Sequence, residues 1–557
     1  MIPPLNPLIS GKPKPGVEST AGLLFCSSVK RVEARWMQQT APGELMHSAA
    51  QALTTVCGAL LRNLPRQSTD PANPAGTPVI AAFVGPGNNG ADALLCLHML
   101  RQQGYPGFAG LLSTTATDPT TPTTPEYAVM LSQWRDTGGA VMPLAALLEM
   151  MQGFESAGRP ILILDGLFGI GLNRPLPAQA MAAAAWTHEP RRAAGPVVAV
   201  DVPSGLNADT GCVLGCETSQ ASRASQAVRA THTVTFIADK PGLHTGRGRD
   251  FSGTVIMDSL GVSNIDFDGW KIDSRWAGQH LQARALSTHK GSFGTVAAVG
   301  GARGMPGAVL LADRGARAAG AGKVATLSPD EPVFDSGEPQ MMAWSCNGGR
   351  INDRTLETLT AVAVGCGLGD SNTALILLRQ LLSSHCALAV DADALNLLSH
   401  DEYRSSLTRL IRARVGQQAT VITPHPLEAA RLLGIPTAQV QSNRIAAAKS
   451  LADQLQCVVL LKGAGSILAD PHGQWAVVCA GGPALATGGT GDVLSGMVAG
   501  LLARGYSSWN AAALAAWVHG DAADRWSKHY PLATGLPLGD LLCLIVDGFN
   551  QQPNWVR

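Results

Sequence analysis

Short apolar runs that end in glycine or an acid recur along this chain. Residues 77–84, 161–164 and 196–200 are mostly Val, Ile, Leu, Ala and Phe, and residues 233–238 and 254–257 continue the series. The second half repeats it at 295–299, 361–364, 387–390, 420–422 and 458–461. Apolar runs of four to eight residues with little alternation predict parallel strands buried on both faces. Helical patterns lie between them. One covers 29–61 and is interrupted near Gly43 and Glu44; another follows the loop at 85–92 and carries Leu94, Leu95, Leu97 and Leu100. Near the end, Val493, Leu494, Met497, Val498 and Leu501 share one helical face, which puts Asp492 in the first turn of a buried helix. Strands alternating with helices predict an α/β protein. Residues 259–288 break the pattern, being polar with Trp270 and Trp276. The expected division is a flexible leader at 1–28, a first domain at 29–260, a linker at 261–277 and a second domain at 278–557. Residues 113–125, rich in Thr and Pro, read as an exposed connection. With its own strands and loops, the second half is expected to fold alone from about residue 275.

The polar residues sit where the strands end. Gly85, Gly87 and Gly90 form G-x-G-x-x-G after a strand, but no acid follows about 20 residues later for a ribose. A redox dinucleotide is therefore not expected there, and Asn88 and Asn89 suggest a site of amide oxygens and backbone N–H groups. Asp165, Asp201 and Ser204 lie at the ends of the next strands. In a parallel sheet such residues converge at one edge. In the second half, Lys462 precedes Gly463, Ala464, Gly465 and Ser466 in a loop suited to nucleotide phosphates, although it is not a Walker A sequence. Gly488, Gly489, Thr490 and Gly491 lead into Asp492. The N–H groups of a helix start hold phosphate, and an acid there is placed to take a proton from an attacking hydroxyl.

Composition narrows the class. The 557 residues suit two to four domains; 46% are apolar and the formal net charge is zero. That balance, with no long Lys/Arg block, argues against nucleic acid or an acidic membrane as partner. Eleven cysteines without a C-x-x-C pair indicate neither a zinc site nor a disulfide framework. No run of about 18 apolar residues is present, and a cytoplasmic homo-oligomer is expected.

His289-Lys290-Gly291, Gly365-Cys366-Gly367-Leu368-Gly369, Asp391-Ala392-Asp393-Ala394-Leu395-Asn396, Thr423-Pro424-His425-Pro426-Leu427-Glu428, Lys462-Gly463-Ala464 and the Asp492 loop together resemble the ADP-dependent NAD(P)H-hydrate dehydratases of the ribokinase-like superfamily. Gly87-Asn88-Asn89-Gly90, Asp165-Gly166-Leu167, residues 200–206 and Lys240-Pro241-Gly242-Leu243 resemble NAD(P)H-hydrate epimerase. The resemblance implies a Rossmann-like three-layer α/β/α domain followed by a ribokinase-like α/β domain. It also implies a bifunctional repair activity on hydrated NADH and NADPH: one half exchanges the R and S epimers, and the other dehydrates the S epimer with ADP, giving AMP and phosphate. By the same resemblance Asp492 and Asp201 are the catalytic residues. Asn89, Asp165 and Ser204 hold potassium, and magnesium accompanies ADP. Asn88, Asn89, Gly90, Ala91, Asp92, Gly169, Ile170, Gly171, Leu172, Asn173, Arg174, Pro175 and Asp201 line the hydrate in the first half. Gly367, His425 and Asp492 do so in the second. Lys462, Gly463, Ala464, Gly465, Ser466 and Gly491 bind the nucleotide.

Ala91 and Ala93 stand where the family has glycine, Ser292 where it has aspartate and Cys366 where it has proline. Methyl groups at 91 and 93 would be strained if either position needs positive φ. The competing reading is a ribokinase-like small-molecule kinase with a non-catalytic N-terminal binding module.

Overall fold

The computed structural model describes residues 22–64, 77–112, 124–188, 194–215, 226–346 and 349–550. Residues 1–21 of the expected leader and 113–123 of the expected connection lie outside these.

Two sheets carry the chain. The first has seven parallel strands in the order Ala140–Pro143, Gly107–Leu111, Val79–Val84, Ile161–Gly166, Ala194–Val200, His232–Phe236 and Thr254–Asp258. Alternation along one strand shows why both faces are covered. Ile80, Ala82 and Val84 pack with Leu53, Leu94 and Leu97 of helices Glu44–Asn63 and Asn88–Gln102. Val79, Ala81 and Phe83 pack on the other side with Leu147, Met151, Ala180 and Ala183. Successive side chains of a strand point to opposite faces, so an unbroken apolar run needs a helical layer on each.

The second sheet has eleven strands. Its parallel centre runs Val458–Leu461, Thr420–Ile422, Ala387–Val390, Ala361–Val364, Thr295–Val299, Lys323–Ser328 and Met342–Ser345. Helix Thr490–Ala503 packs on this sheet with Val493, Met497, Val498 and Leu501 fully buried, as its apolar face requires. In both sheets the strand order reverses at one point. The reversal falls between Val79–Val84 and Ile161–Gly166 in the first sheet, and between Thr295–Val299 and Ala361–Val364 in the second. Loops diverge there and leave a crevice at the carboxyl ends.

The far edge of the second sheet departs from the expected domain boundaries. Strands Ile467–Ala469 and Trp475–Val478 extend it antiparallel, Gly269–Ile272 joins Trp475–Val478 in parallel, and Gly22–Leu23 closes the edge. The expected linker 261–277 therefore contains a strand of the second sheet and part of helix Ser274–His280. The expected leader contributes at residues 22–28 an edge strand and the start of helix Cys26–Met37. Leu23 and Leu24 are fully buried, Leu24 N–H donates to Asp239 O at 3.0 Å, and Phe25 stacks on Trp475 with ring centroids 5.1 Å apart. Prolines and short polar stretches hid these pairings, because a two-residue strand has no period to read. A fragment cut at 275 would lose the strand that covers Trp475, which removes the basis for expecting it to fold alone.

Trp475 is 1% exposed at the junction of both halves. Trp475→Ala should lower the stability of the full chain by about 3–5 kcal/mol, read as a shift of the urea midpoint followed by circular dichroism.

Candidate active sites

At the first crevice, Asp165, one residue before the end of its strand, has no exposed surface. Ser204 Oγ donates to Asp165 Oδ1 at 2.7 Å, and Ser204 N–H donates to Oδ2 at 2.9 Å. Leu167 N–H adds a longer bond to Oδ1 at 3.3 Å. Burial pushes the Asp165 carboxyl up to about 6 against these hydrogen bonds. Asn89, in the first turn of helix Asn88–Gln102, donates from Nδ2 to Val200 O at 2.7 Å. Its Oδ1 lies 2.3 Å from where a Gly169 Cβ would stand, so the 169–175 loop passes directly over it. Phe168 N–H donates to Ser204 Oγ at 2.9 Å and ties the start of that loop to the same point. Asn89, Asp165 and Ser204 are thus brought together as expected. In the loop, Ile170 and Leu172 pack partly into the core, while Gly171, Asn173, Arg174 and Pro175 are exposed.

Asp201 follows strand Ala194–Val200 with φ +65, an uncommon conformation for a side chain that is held only by its surroundings. Those surroundings are Lys240 Nζ at 2.5 Å, Thr235 Oγ1 at 3.1 Å and Phe236 N–H at 3.2 Å, all donating to Asp201 Oδ1. Lys240 has no exposed surface; its remaining bonds go to Thr235 Oγ1 and Phe236 O, both at 2.8 Å. Lys240 appeared in the sequence only as part of a motif, with no role assigned; its position beside Asp201 depends on a 39-residue separation that no local pattern reports. Glu33 of helix Cys26–Met37 was missed entirely. Its carboxyl is raised by burial and then by Asp201, and that of Asp92 is raised well above the usual range by burial and then by Asp201 and Glu33. Glu33 and Asp92 therefore both lie within electrostatic reach of Asp201.

At Ala91 and Ala93 the condition for strain is not met. Both lie inside helix Asn88–Gln102 with no exposed surface, and neither has positive φ. Ala93 Cβ packs toward Gly166, and the Ala91 N–H is already donated to Gly87 O. Their methyl groups fill the core instead of the crevice. Ala91 thus has neither a side chain nor an N–H to offer a ligand, and Gly90 is packed against Gly85 O.

At the second crevice, helix Thr490–Ala503 starts from Gly489 at φ +92, a left-handed cap that a side chain would strain. Asp492 is half-buried in its first turn. Burial pushes its carboxyl up to about 6, against the Cys366 thiol, with Asp391 adding to the rise. Lys462 Nζ is 2.6 Å from Asp391 Oδ1 and 3.7 Å from where a Gly491 Cβ would stand, which places the ammonium beside the helix start. Burial opposes its charge, but Asp391 and Glu428 outweigh this and raise its pKa. Asp391 also accepts from Ala392 N–H, and Asp393 Oδ2 accepts from Gly369 N–H at 2.8 Å, fixing the 365–369 loop. Both acids lie in the Asp391–Asn396 motif, where the sequence pattern alone gives neither a partner.

His425 proves to be a helix cap. Its Nδ1 accepts from Leu427 N–H and Glu428 N–H, and Glu428 Oε2 accepts from His425 N–H in return. Gly367, at φ +61, is buried against Met305. Ser292 completes a capping box with His289, so a hydroxyl serves at that position. In the 462–466 loop Gly463 and Ala464 are exposed, whereas Gly465 is buried under the first domain.

Residues 42–242 match the family described as YjeF-related protein N-terminus, and residues 296–546 match the family described as NAD(P)H-hydrate dehydratase. The chain is 37% identical over 373 residues to the bifunctional NAD(P)H-hydrate repair enzyme Nnr of Coxiella burnetii, covering 65% of this chain and 71% of that one. It is 32% identical over 467 residues to Nnr of Escherichia coli, covering 81% and 82%. The ADP-dependent (S)-NAD(P)H-hydrate dehydratase of Neisseria meningitidis is 40% identical over 266 residues, covering 47% of this chain and 86% of that one. Two family matches in one chain, with relatives of this identity aligned along most of its length, mean that the chain belongs to the family of bifunctional NAD(P)H-hydrate repair enzymes.

Proposed function

We infer that this chain repairs hydrated NADH and NADPH with both of its halves. The N-terminal domain interconverts the R and S epimers; the C-terminal domain dehydrates the S epimer with ADP and releases NAD(P)H, AMP and phosphate. The observation that carries the reading is Asp492 in the first turn of a buried helix, with Lys462 and Asp391 paired beside it.

The ring hydroxyl of the hydrate attacks the terminal phosphorus of ADP, and Asp492 takes its proton as the bond to AMP breaks. The N–H groups at the helix start, Gly491 included, and the Lys462 ammonium face the transferring group. Its charge is thereby met by fixed donors. The ring nitrogen then expels phosphate, and the iminium so formed loses a proton from the adjacent ring carbon, which restores the double bond of NAD(P)H. Gly463 to Ser466 hold the nucleotide phosphates, and Gly367 and His425 border the hydrate. No three His, Cys, Asp or Glu side chains converge as metal ligands among the described residues. Magnesium would therefore be carried on the ADP oxygens.

In the N-terminal domain Asp201 moves the proton of the epimerisation, held in place by Lys240. Asn88, Asp92 and the 169–175 loop border the hydrate. Asp165 is fully buried, and no lysine, arginine or histidine pairs with it among the described residues. A singly charged cation shared with the amide oxygen of Asn89 and the Ser204 hydroxyl would offset that charge, and oxygen donors with one acid suit potassium. No helix among the described residues is long and apolar enough to cross a membrane; a cytoplasmic homo-oligomer is retained as part of this reading.

The base form of Asp492 is the ionised one, so dehydration should hold above pH 6 and fall as pH drops through about 6, by about tenfold per unit. Asp492→Asn should remove that limb and cost at least about a hundredfold in kcat with ADP binding kept. Release of free phosphate, rather than a stable phosphoester, would separate dehydration from a kinase reaction.

With dehydratase in excess, wild type should consume both epimers, and Asp201→Asn should consume S at full speed and leave R to its spontaneous exchange. Chiral chromatography of the remaining hydrate reads the difference. Equal R decay in both proteins would leave the N-terminal domain without its chemistry.

Replacing potassium by tetramethylammonium should slow epimerisation and leave dehydration unchanged. Crystals soaked in rubidium should show anomalous density between Asn89, Asp165 and Ser204.

A further inference from the structure

One segment of the N-terminal domain touches both sites. Asp239, 1% exposed, accepts from Lys271 Nζ of the second sheet at 2.6 Å and from His244 Nε2 at 2.8 Å. Lys240, next in sequence, holds Asp201. Pro241–Leu243 form a fully buried single turn. Thr245 then reaches the other domain: its hydroxyl, with no exposed surface, lies 2.9 Å from Gly465 O and 3.2 Å from Ala464 O. Gly246 N–H donates to Ala464 O at 2.9 Å. Gly465 has φ +60, and a Cβ there would stand 2.0 Å from His244 O. The opposite side of the loop is held from within its own domain, where the buried Arg444 Nη2 donates to Leu461 O and Lys462 O.

The contact has a directional consequence. In a trans peptide the N–H points opposite to the C=O. Anchoring the carbonyls of Ala464 and Gly465 on the first domain turns the N–H groups of Gly465 and Ser466 away from it. Neither N–H is donated to another group among the described residues. A loop whose carbonyls are fixed and whose N–H groups are left over is arranged to receive an anion.

We propose that Thr245 of the N-terminal domain is a positioning residue for the nucleotide loop of the C-terminal domain, so that ADP affinity depends on a contact supplied by the epimerase half. The proposal rests on the reading of residues 462–466 as the ADP-phosphate loop. Coupling of this kind is reciprocal: if the 245–465 contact favours ADP, ADP favours the contact and the segment that carries Lys240.

The test is a set of full-length variants assayed for ADP dependence of dehydration. Thr245→Val keeps the shape and removes the hydroxyl, leaving a buried carbonyl without its donor. The KM for ADP should rise about tenfold with kcat within about twofold. Thr245→Ser restores the hydroxyl and should return KM to within about twofold of wild type. Lys462→Met is the control for the loop itself and should weaken ADP. If Lys462→Met weakens ADP while Thr245→Val leaves KM unchanged, the proposal fails and the nucleotide assignment stands. If neither weakens ADP, the nucleotide assignment fails and takes the proposal with it. A measurement on the unaltered protein guards against misfolding of the variants. Hydrogen–deuterium exchange of amides in residues 239–248 should slow when ADP saturates; no change there would also overturn the proposal.

Discussion

Two aspartate–lysine pairs at the ends of buried strands set the geometry of both candidate sites. Asp201 with Lys240 and Asp391 with Lys462 each place opposite charges where water is largely excluded. A lone buried charge would be costly, and removing one member of such a pair leaves the other uncompensated. Each pair is therefore a constraint on its neighbours. Around Asp201 it fixes Thr235 and the Phe236 backbone; around Asp391 it sets the start of helix Ala392–Ser399 and brings the lysine beside the helix that carries Asp492. Asp201 and Asp492 stand where they do because the paired charges leave little freedom to move.

The same physics joins the domains. Asp239, Lys271 and His244 form a third buried cluster whose members come from both halves; burial opposes the His244 charge, but Asp239 outweighs it and raises the imidazole to about 10. Leu23, Leu24 and Phe25 close the other side of the junction with apolar surface. An enzyme that makes the substrate of its second half with its first does not require such contact. The polar contacts at Thr245 and Gly246 nevertheless reach the loop read as the nucleotide site.

Function in both halves follows from a shared geometry. Each sheet reverses its strand order once, and a reversal of this kind opens a crevice at the carboxyl ends of the strands. The differences lie in what fills it. The first crevice gathers acids and amide oxygens around Asp201 and Asp165, suited to moving a proton and holding a cation. The second places an acid among backbone N–H groups and a lysine, suited to phosphoryl transfer.

The sequence by itself determined the α/β class, the strand ends and their polar residues. An unbroken apolar run must be covered on both faces, and glycine or an acid after it can only be a loop at the sheet edge. It also put Asp492 in the first turn of its helix, because that position follows from the 3.6-residue period alone. What depended on distant contacts was not legible. Whether Ala91 and Ala93 face a ligand or the core turned on where helix Asn88–Gln102 begins and which side meets Gly166. That residues 22–23 and 269–272 are strands of the second sheet, and not leader and linker, was decided by partners hundreds of residues away. Lys240 beside Asp201 and Thr245 beside Gly465 are of the same kind. Such pairs carry no period, and only the folded chain, by excluding water from them, gives each its partner.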